Sequence, residues 1–337
     1  MIKGRMNYRR GTPTITVVVP TYNRLPVLKK VITALENQTL RNNNFEVIVV
    51  SDGSSDGTNE YLTDYGSHLV LRAIFQNNSG PATARNRGVK EAIGEIILFL
   101  DDDVVPAPNL VEAHQTAHRH YCHEDVVIIG PMLTPADFEL SPWTKWMQER
   151  LGEQYNSMTG GEWEPTARQF YTGNASLPRS MFLKFNGFDP SLRRAEDVEF
   201  AYRLSDNGIR FIFCGQAKGF HYEARSFDSW LKIAYSYGRN DVIFHRQKGQ
   251  DWLLPVVKAE LKKRNFITRF LVWLFLGHKR MMRLISRTGK FLIVGDERLK
   301  LKLFSRIACS VLFNLHYYQG VVDELGGRDQ FYANYDR

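Results

Sequence analysis

The first hundred residues alternate between short apolar runs and segments with helical periodicity, and this alternation constrains the fold most. The runs "ITVVV", "FEVIVV", "LVLRAIF" and "EIILFL" are typical of buried strands. In "LPVLKKVITALENQ", which lies between the first two runs, the side chains of Leu28, Val31, Ile32 and Leu35 fall on one face of a helix. Val/Ile/Leu-rich strands that alternate with helices predict an α/β fold whose mostly parallel central sheet is flanked by helices.

Polar clusters follow three of the four predicted strands. They are "PTYNR" (20–24), "SDGSSDG" (51–57) and "DDD" (101–103). Open parallel sheets bind ligands at the carboxyl ends of their strands. We therefore expect the three clusters to face one ligand crevice, although the first two are also typical of ordinary turns, in which Tyr22 would only pack.

Three consecutive aspartates, Asp101, Asp102 and Asp103, are the most informative of these clusters. Like charges at the end of a buried strand repel one another, and a divalent cation would relieve that repulsion. Hard Mg²⁺ or Mn²⁺ prefers carboxylates together with the oxygens of a substrate diphosphate. The alternative is a solvated acidic turn, which is common for one Asp pair but not for three in a row.

The helix predicted over "GPATARNRGVKEAIG" carries two arginines with different expected roles. Arg85 lies near the amino end of the helix, where anions are favoured, so it could meet a phosphate or a base. The alternative for both arginines is an ordinary solvated helix residue, which we expect for Arg87. Three histidines further along, His114, His118 and His120, are expected to form a solvated helix face and not a metal site.

Five segments resemble, in order, the motifs of family 2 glycosyltransferases, which are inverting enzymes with the GT-A (nucleotide-diphospho-sugar transferase) fold. The resemblance covers roughly residues 14–225 and implies a nucleotide-sugar donor, a divalent metal (Mn²⁺ or Mg²⁺) and a single displacement by an acceptor hydroxyl. The segments are "ITVVVPTYNR", "VIVVSDGSSDGT", "GPATARNRGVKEAIGEIILFLDDDVVP", "GNASLPRSMFLKFNGFDPSLRRAEDVEFAYRLSDNG" and "GFH".

The resemblance assigns the donor side residue by residue. It implies that Asp52 reads the nucleobase, although Ser51 stands where many relatives carry a second acid. It implies that Asp101 approaches the ribose and that Asp103 is a metal ligand. Further donor or nucleotide contacts are implied at Pro20, Tyr22, Arg24, Arg85 and Asp102.

The acceptor side rests on "RRAEDVEFAYRL" and "KGFHYEA". An acceptor hydroxyl is a poor nucleophile and needs a carboxylate to take its proton. The resemblance implies that Asp197 is this general base and that Glu196 orients the acceptor, whereas the plainer alternative is acidic capping of a helix. His221 matches a histidine that approaches the metal or the diphosphate, and the alternative is a packed loop histidine.

The chain divides, on these patterns, into a basic tail (1–13), a transferase domain (14–225, with a nucleotide-binding half to 105 and an acceptor half from 106) and a basic helical C-terminal region (226–337). The polar, Gly-rich segment at 147–176 is expected to cover the acceptor, with Trp163 stacking on a sugar or packing. No QxxRW motif of processive synthases follows residue 226, which favours transfer of one sugar per acceptor.

Charge is concentrated in the C-terminal region. Of the formal net charge of +8, residues 253–306 carry +11, with 14 Lys or Arg against three acids. Their apolar runs predict a helix pair that either packs with a solvated basic face or lies on an anionic membrane. Nucleic-acid binding is disfavoured, because no known nucleic-acid module accompanies the bases. With no 18-residue apolar run, no signal-peptide core and three scattered cysteines, we expect a protein of the cytoplasm or of the inner face of the cell membrane.

The sequence thus predicts a metal-dependent, inverting glycosyltransferase. It would move one sugar from a nucleotide-sugar, expected to be a UDP-sugar, to a hydroxyl of a glycan or lipid-linked acceptor in cell-surface polysaccharide or glycolipid synthesis. A sugar nucleotidyltransferase is an alternative, but it would want a Gly-rich basic loop after the first strand. A non-catalytic glycan- or nucleotide-binding protein is another, but it should have lost Asp103 or Asp197.

Overall fold

The computed structural model describes residues 13–41, 44–122, 125–192, 194–299 and 303–333, without the side chains of 297–299 and 303. The chain forms two units, one of residues 1–138 and 151–222 and the other of residues 139–150 and 223–337. The predicted tail at 1–13 lies, except for Pro13, outside the described residues. The boundaries predicted at 105 and 225 stay predictions.

A seven-stranded mixed sheet organises the first unit, in the order β3-β2-β1-β4-β8-β6-β9. Four of its strand pairs are parallel, and only β8 runs antiparallel to its neighbours, so the sheet is mostly parallel as predicted. Its strands are β1 (Ile15–Thr21), β2 (Phe45–Asp52), β3 (Leu71–Gln76), β4 (Ile96–Leu100), β6 (Val126–Ile129), β8 (Asn174–Pro178) and β9 (Arg210–Phe213).

Helices alternate with these strands, as the apolar periodicity predicts. Leu28, Val31, Ile32 and Leu35, the four residues expected on one face of the first helix, are all buried against the sheet. Every residue of β1, β2 and β4 is buried, which explains their near-continuous apolar sequences. The helices of this unit are α1 (Leu25–Glu36), α2 (Thr58–Thr63), α3 (Pro81–Glu91), α4 (Leu110–His120), α6 (Arg179–Lys184) and α7 (Glu196–Asp206), with part of α5 (Pro142–Thr159).

A small second sheet in the same unit brings distant segments together. Its strands are β5 (Val104–Pro106), β7 (Met132–Leu133) and β10 (Gly219–His221), in the order β5-β10-β7. β5 begins directly after the acidic triplet, and its pairing with β10 sets His221 opposite Val104. This register carries His221 to the end of β4.

The prediction of a solvated histidine face on α4 is wrong for His114 and His118, which are fully buried, whereas His120 is exposed. The Nδ1 atom of His114 and the Nε2 atom of His118 each lie 2.8 Å from the Ser176 hydroxyl. Burial lowers the pKa of His114 to about 4 and that of His118 to about 3, so both rings are neutral. Polar partners on β8 let α4 pack this face inward.

The second unit is helical. Its core joins residues of six helices, and close approach of two of them rests on Gly238 and Gly320, where an added Cβ would lie about 2 Å from a carbonyl oxygen of the facing helix. Within the described residues no helix is long and apolar enough to cross a bilayer. The helices are α8 (Phe227–Gln247), α9 (Leu253–Lys263), α10 (Phe266–Phe275), α11 (Lys279–Leu299), α12 (Leu303–Leu325) and α13 (Arg328–Ala333).

The predicted C-terminal helix pair is wrong in one respect. The segment "RFLVWLFLGHKRMMRLISR", expected as one helix, is divided between α10 and α11. The break lies at Gly277, whose φ of +84° is accessible to glycine at little cost.

Candidate active site

The acidic triplet lies at the carboxyl end of β4, beside the loop that follows β1. Thr21 Oγ1 donates a 2.7 Å hydrogen bond to Asp102, and Arg24 forms ion pairs with both Asp102 and Asp103. The Arg24 side chain is 51% exposed, whereas both aspartates are buried. Burial raises the pKa of Asp102 to about 6. The Arg24 guanidinium thus partly offsets the repulsion among the three aspartates.

His221 joins this cluster through the pairing of β10 with β5. Its Nε2 atom lies 3.4 Å from Asp103 Oδ1. Burial opposes ionisation of Asp103, but the hydrogen bond and charge of His221, together with Arg24, outweigh burial and hold the pKa of Asp103 below its usual range. Arg24, Asp102, Asp103 and His221 therefore form one cluster built from two predicted loops and a distant strand.

A second cluster joins the triplet to α7 through Arg85. The buried Arg85 guanidinium donates to Asp101 at 2.6 Å and to Glu196 at 2.9 Å. Its Nε atom has no hydrogen-bond partner among the described residues. Arg85 therefore bridges Asp101, which was predicted to lie on the donor side, and Glu196, which was predicted to lie on the acceptor side.

The amino end of α7 presents Glu196 and Asp197 from a strained turn. Ala195 adopts φ +61°, a left-handed conformation that is uncommon for a residue with a Cβ atom and that recurs at functional sites. Burial, followed by repulsion from Glu196, raises the pKa of Asp197 to about 7, against the opposing attraction of Arg85. Asp197 itself stays partly accessible to solvent. A partly accessible carboxylate with such a pKa is suited to accept a proton near neutral pH.

Asp52 ends β2 and holds the loop before α3. Its side chain accepts hydrogen bonds from Gln76 and from the backbone N–H groups of Ser79 and Gly80, all between 2.7 and 2.8 Å. The Asp52 carboxylate therefore belongs to neither of the two clusters described above, because its partners lie at the end of β3 and in the loop before α3. Of the remaining predicted contacts, Pro20 is buried in β1 and Tyr22 is half exposed.

Sequence reasoning missed the residues that fasten the loop after β1. Asn23, at φ +52°, accepts from the Ser55 N–H at 2.7 Å, and Asp56 accepts from the Leu25 N–H at 2.9 Å. Turn-forming Asn and Asp residues in "PTYNR" and "SDGSSDG" were the available signal, since both side chains commonly bond nearby backbone. Thr21, the partner of Asp102, carries no such signal.

The charge balance of the site fits a divalent cation. Five carboxylates (Asp101, Asp102, Asp103, Glu196 and Asp197) face two guanidiniums, those of Arg24 and Arg85. The described residues contain no group of three or more His, Cys, Asp or Glu arranged around a metal position. Asp103 and His221 could supply two ligands, and Mg²⁺ or Mn²⁺ in such sites takes the others from substrate phosphates and water.

Comparison with known proteins assigns the chain to a family. The model of the family described as "Glycosyl transferase family 2" matches residues 16–185, about half of the chain. This chain belongs to glycosyl transferase family 2. The match runs from β1 to the end of α6 and includes both the loop after β1 and the acidic triplet.

Two relatives illustrate the reach of the family likeness. The validoxylamine A glucosyltransferase of Streptomyces hygroscopicus subsp. jinggangensis is 31% identical over 225 residues, which cover 58% of this chain and 52% of that protein. The chain therefore spans about half the length of that relative. Glycosyltransferase AglE of Haloferax volcanii is 26% identical over 275 residues, covering 79% of this chain and 81% of AglE.

Solved structures confirm the predicted GT-A fold. Mannosyltransferase PcManGT from Pyrobaculum calidifontis, solved in complex with GDP-Man and Mn²⁺, aligns with a TM-score of 0.58 at 18% identity, covering 94% of this chain and 88% of that one. Staphylococcus aureus TarS in complex with UDP-GlcNAc aligns with a TM-score of 0.54 at 18% identity, covering 93% and 92%. At 18% identity these alignments show that the fold is shared, and they carry no statement about substrate.

Proposed function

We propose that this family 2 protein is a metal-dependent, inverting glycosyltransferase that moves one sugar from a nucleotide-sugar, a UDP-sugar, to a hydroxyl of a glycan or lipid-linked acceptor. The observation that carries the proposal is the bridge of Arg85 between Asp101 and Glu196, because it joins the acidic end of β4 to the carboxylates that open α7. Cell-surface polysaccharide or glycolipid synthesis is the class of pathway that uses this reaction.

The donor lies, in this proposal, across the ends of β1, β2 and β4. Tyr22 and Asp52 face the nucleobase and Asp101 the ribose, while Arg85 retains an Nε–H for the nucleotide. Asp103 and His221 would hold Mn²⁺ or Mg²⁺, which when bound offsets the negative charge that develops on the leaving diphosphate. With that ion in place, Arg24 would give up its ion pair with Asp103 and keep the one with Asp102, since the Arg24 side chain is half exposed.

The acceptor is activated, in this proposal, by Asp197. Its carboxylate takes the proton of the acceptor hydroxyl as that oxygen bonds to the anomeric carbon. The bond from the anomeric carbon to the diphosphate oxygen breaks, and the nucleoside diphosphate leaves with its electron pair. Attack on the face opposite the leaving group inverts the configuration. Glu196, held by Arg85, orients the acceptor beside the base.

A donor screen tests this proposal. We expect UDP-glucose or UDP-N-acetylglucosamine, with Mn²⁺, to raise the thermal unfolding midpoint by several degrees, and GDP-mannose to raise it less, because a ligand that binds only the folded state stabilises it. Slow metal-dependent hydrolysis of the stabilising donor should accompany the shift. Equal shifts with and without Mn²⁺ would contradict the metal site. A larger shift with GDP-mannose would show that the nucleotide of the donor is GDP and not UDP.

The same measurements discriminate the rival functions. A sugar nucleotidyltransferase would be stabilised by nucleoside triphosphates and sugar phosphates. A non-catalytic binding protein would be stabilised by the donor but would never release nucleoside diphosphate. The five clustered carboxylates favour the transferase, since a binding protein has no use for Asp197 as a base with a pKa of about 7.

We also propose that the second unit lies on an anionic membrane surface. Exposed apolar side chains line α10, including Phe266 at 76% exposure, Phe270 and Trp273, and they continue on α11 with Leu284 and Phe291 at 80% exposure. The rings of Phe266 and Phe270 stack with centroids 6.1 Å apart. Because Lys and Arg greatly outnumber acids in this region, an anionic bilayer complements it better than a neutral partner does.

Vesicle sedimentation tests this location. We expect the protein to bind anionic vesicles at low salt and to be released at high salt, because each base near the surface contributes about 1 kcal/mol that salt screens. Phe266→Ser with Trp273→Ser should weaken binding at all salt concentrations. Equal binding to neutral and anionic vesicles would remove the electrostatic argument, and no binding to either would leave a packed helical unit with a solvated basic face.

A further inference from the structure

A cleft of about 690 Å³ lies between α8, α11 and α12 of the second unit, and it shares no residue with the candidate active site. We call it the α8–α11 cleft. Its volume is within the range of about 300–1,000 Å³ that is usual for small-molecule sites. Phe227, Leu231 and Met282 form its apolar lining and are themselves buried. The cleft therefore has room and apolar surface for part of an amphiphilic ligand.

Five cationic side chains line the cleft, contributed by Lys232 from α8 and by Lys279, Arg283, Arg287 and Lys290 from α11. The four on α11 follow helical spacing and so share one face. In the described part of the chain, none of the five forms an ion pair with a carboxylate. A cleft with this many cations that lack a carboxylate partner is suited to an anion.

The acidic groups of the cleft do not cancel this charge. Asp228 and Asp323 are its two carboxylates, and Asp323 already accepts hydrogen bonds from Tyr235 at 2.9 Å and Gln319 at 2.7 Å. The inner wall is neutral, since burial lowers the pKa of His316 to about 4 and its Nε2 atom lies 2.9 Å from the Ser286 hydroxyl. Five cations against two anions leave a net charge of +3.

The neighbouring face of α11 indicates whether the anion is a lipid headgroup or a free ion. Met281, Leu284, Phe291 and Leu292 are exposed beside the basic face of the same helix. Helical spacing gathers them into one stripe. A bilayer that receives this apolar stripe brings its headgroups against the adjacent bases, whereas a free anion in solution would gain nothing from the stripe.

We propose that the α8–α11 cleft binds the phosphate headgroup of an anionic membrane lipid. Arg283 and Arg287 take the phosphate oxygens, because guanidinium forks bond phosphate through two N–H groups at once. The first carbons of the lipid lie against Phe227 and Met282. The proposal rests on the membrane location proposed above and names the lipid group that binds there, and it does not depend on the transfer reaction.

Sedimentation of the full chain with two kinds of vesicle tests the cleft. Phosphatidylcholine vesicles carry either phosphatidic acid or phosphatidylserine, adjusted to equal surface charge. We expect at least about fivefold tighter binding to phosphatidic acid, whose phosphate is unblocked. Arg283→Gln with Arg287→Gln should weaken that binding about tenfold or more, since both guanidiniums that bond the headgroup phosphate are lost.

The matched control is Lys262→Gln with Lys263→Gln, which removes two exposed charges from α9 outside the cleft. We expect it to bind both vesicles less tightly by a similar small factor and to keep the preference. Equal losses from the two double variants, or equal binding of the wild type to both vesicles, would overturn the proposal. Equal binding of the wild type to the two vesicles, together with calorimetric binding of inorganic phosphate that the Arg283→Gln, Arg287→Gln variant loses, would make free phosphate the ligand and overturn the lipid as the source. Donor hydrolysis, read in parallel, reports the transferase separately.

Discussion

Asp197→Asn should reduce the turnover number for sugar transfer by about a hundredfold or more, which is the usual contribution of a positioned general base. The amide keeps the size of the side chain and can still bond to its neighbours, but it cannot take the acceptor proton. Donor affinity, measured by calorimetry with Mn²⁺, should change little, because Asp197 faces the acceptor. Asp206→Asn, an exposed change near the other end of α7, is the control and should leave turnover unchanged.

The pKa of Asp197 gives this prediction two further readouts. With a pKa of about 7, set by burial, by repulsion from Glu196 and Asp101 and by the opposing charge of Arg85, wild-type turnover should rise as the pH passes through 7. The folded state holds the proton more tightly than the unfolded chain, so stability falls as the pH rises from the unfolded value of 3.8 towards 7. Asp197→Asn should therefore raise the thermal midpoint at pH 8.

These readouts separate catalysis from structure. A residue that only capped α7 would lose stability on substitution and would leave the pH profile in place. Loss of donor binding with unchanged turnover would assign Asp197 to the metal instead. A variant with both wild-type turnover and a wild-type pH profile would show that another group takes the proton.

Asp103→Ala should abolish metal-dependent donor binding, with a loss of at least about a hundredfold in the presence of Mn²⁺. Asp103 is the carboxylate placed between His221 and Arg24 at the end of β4, outside the apolar core. Calorimetry of UDP with and without Mn²⁺ measures the effect, and the thermal midpoint without ligand checks the fold. Asp125→Ala, at an exposed aspartate before another strand, is the matched control.

Two outcomes would contradict this assignment. Donor hydrolysis or transfer at a rate close to that of the wild type would show that the acidic triplet does not hold the metal. Loss of metal-independent UDP binding to the same extent would show that Asp103 contacts the nucleotide directly. In the first case the pairing of Asp103 with His221 would be structural.

Local sequence patterns were enough to predict the fold and the edge of the sheet at which the polar clusters lie. Apolar periodicity placed β1, β2 and β4 and the buried face of α1, because side-chain direction within one element depends only on spacing along the chain. The position of polar residues after those strands placed "PTYNR" and "DDD" at one edge of the sheet, where Arg24 reaches the aspartates.

Contacts across the chain were decided only by the tertiary structure. Arg85 and Glu196 stand 111 residues apart in the sequence, and nothing in either segment indicates that they share a buried ion pair. Burial of His114 and His118 likewise depended on Ser176, 62 and 58 residues away. Amphipathic spacing fixes which side chains share a face, but whether that face meets solvent, a carboxylate or a hydroxyl depends on the element that packs against it.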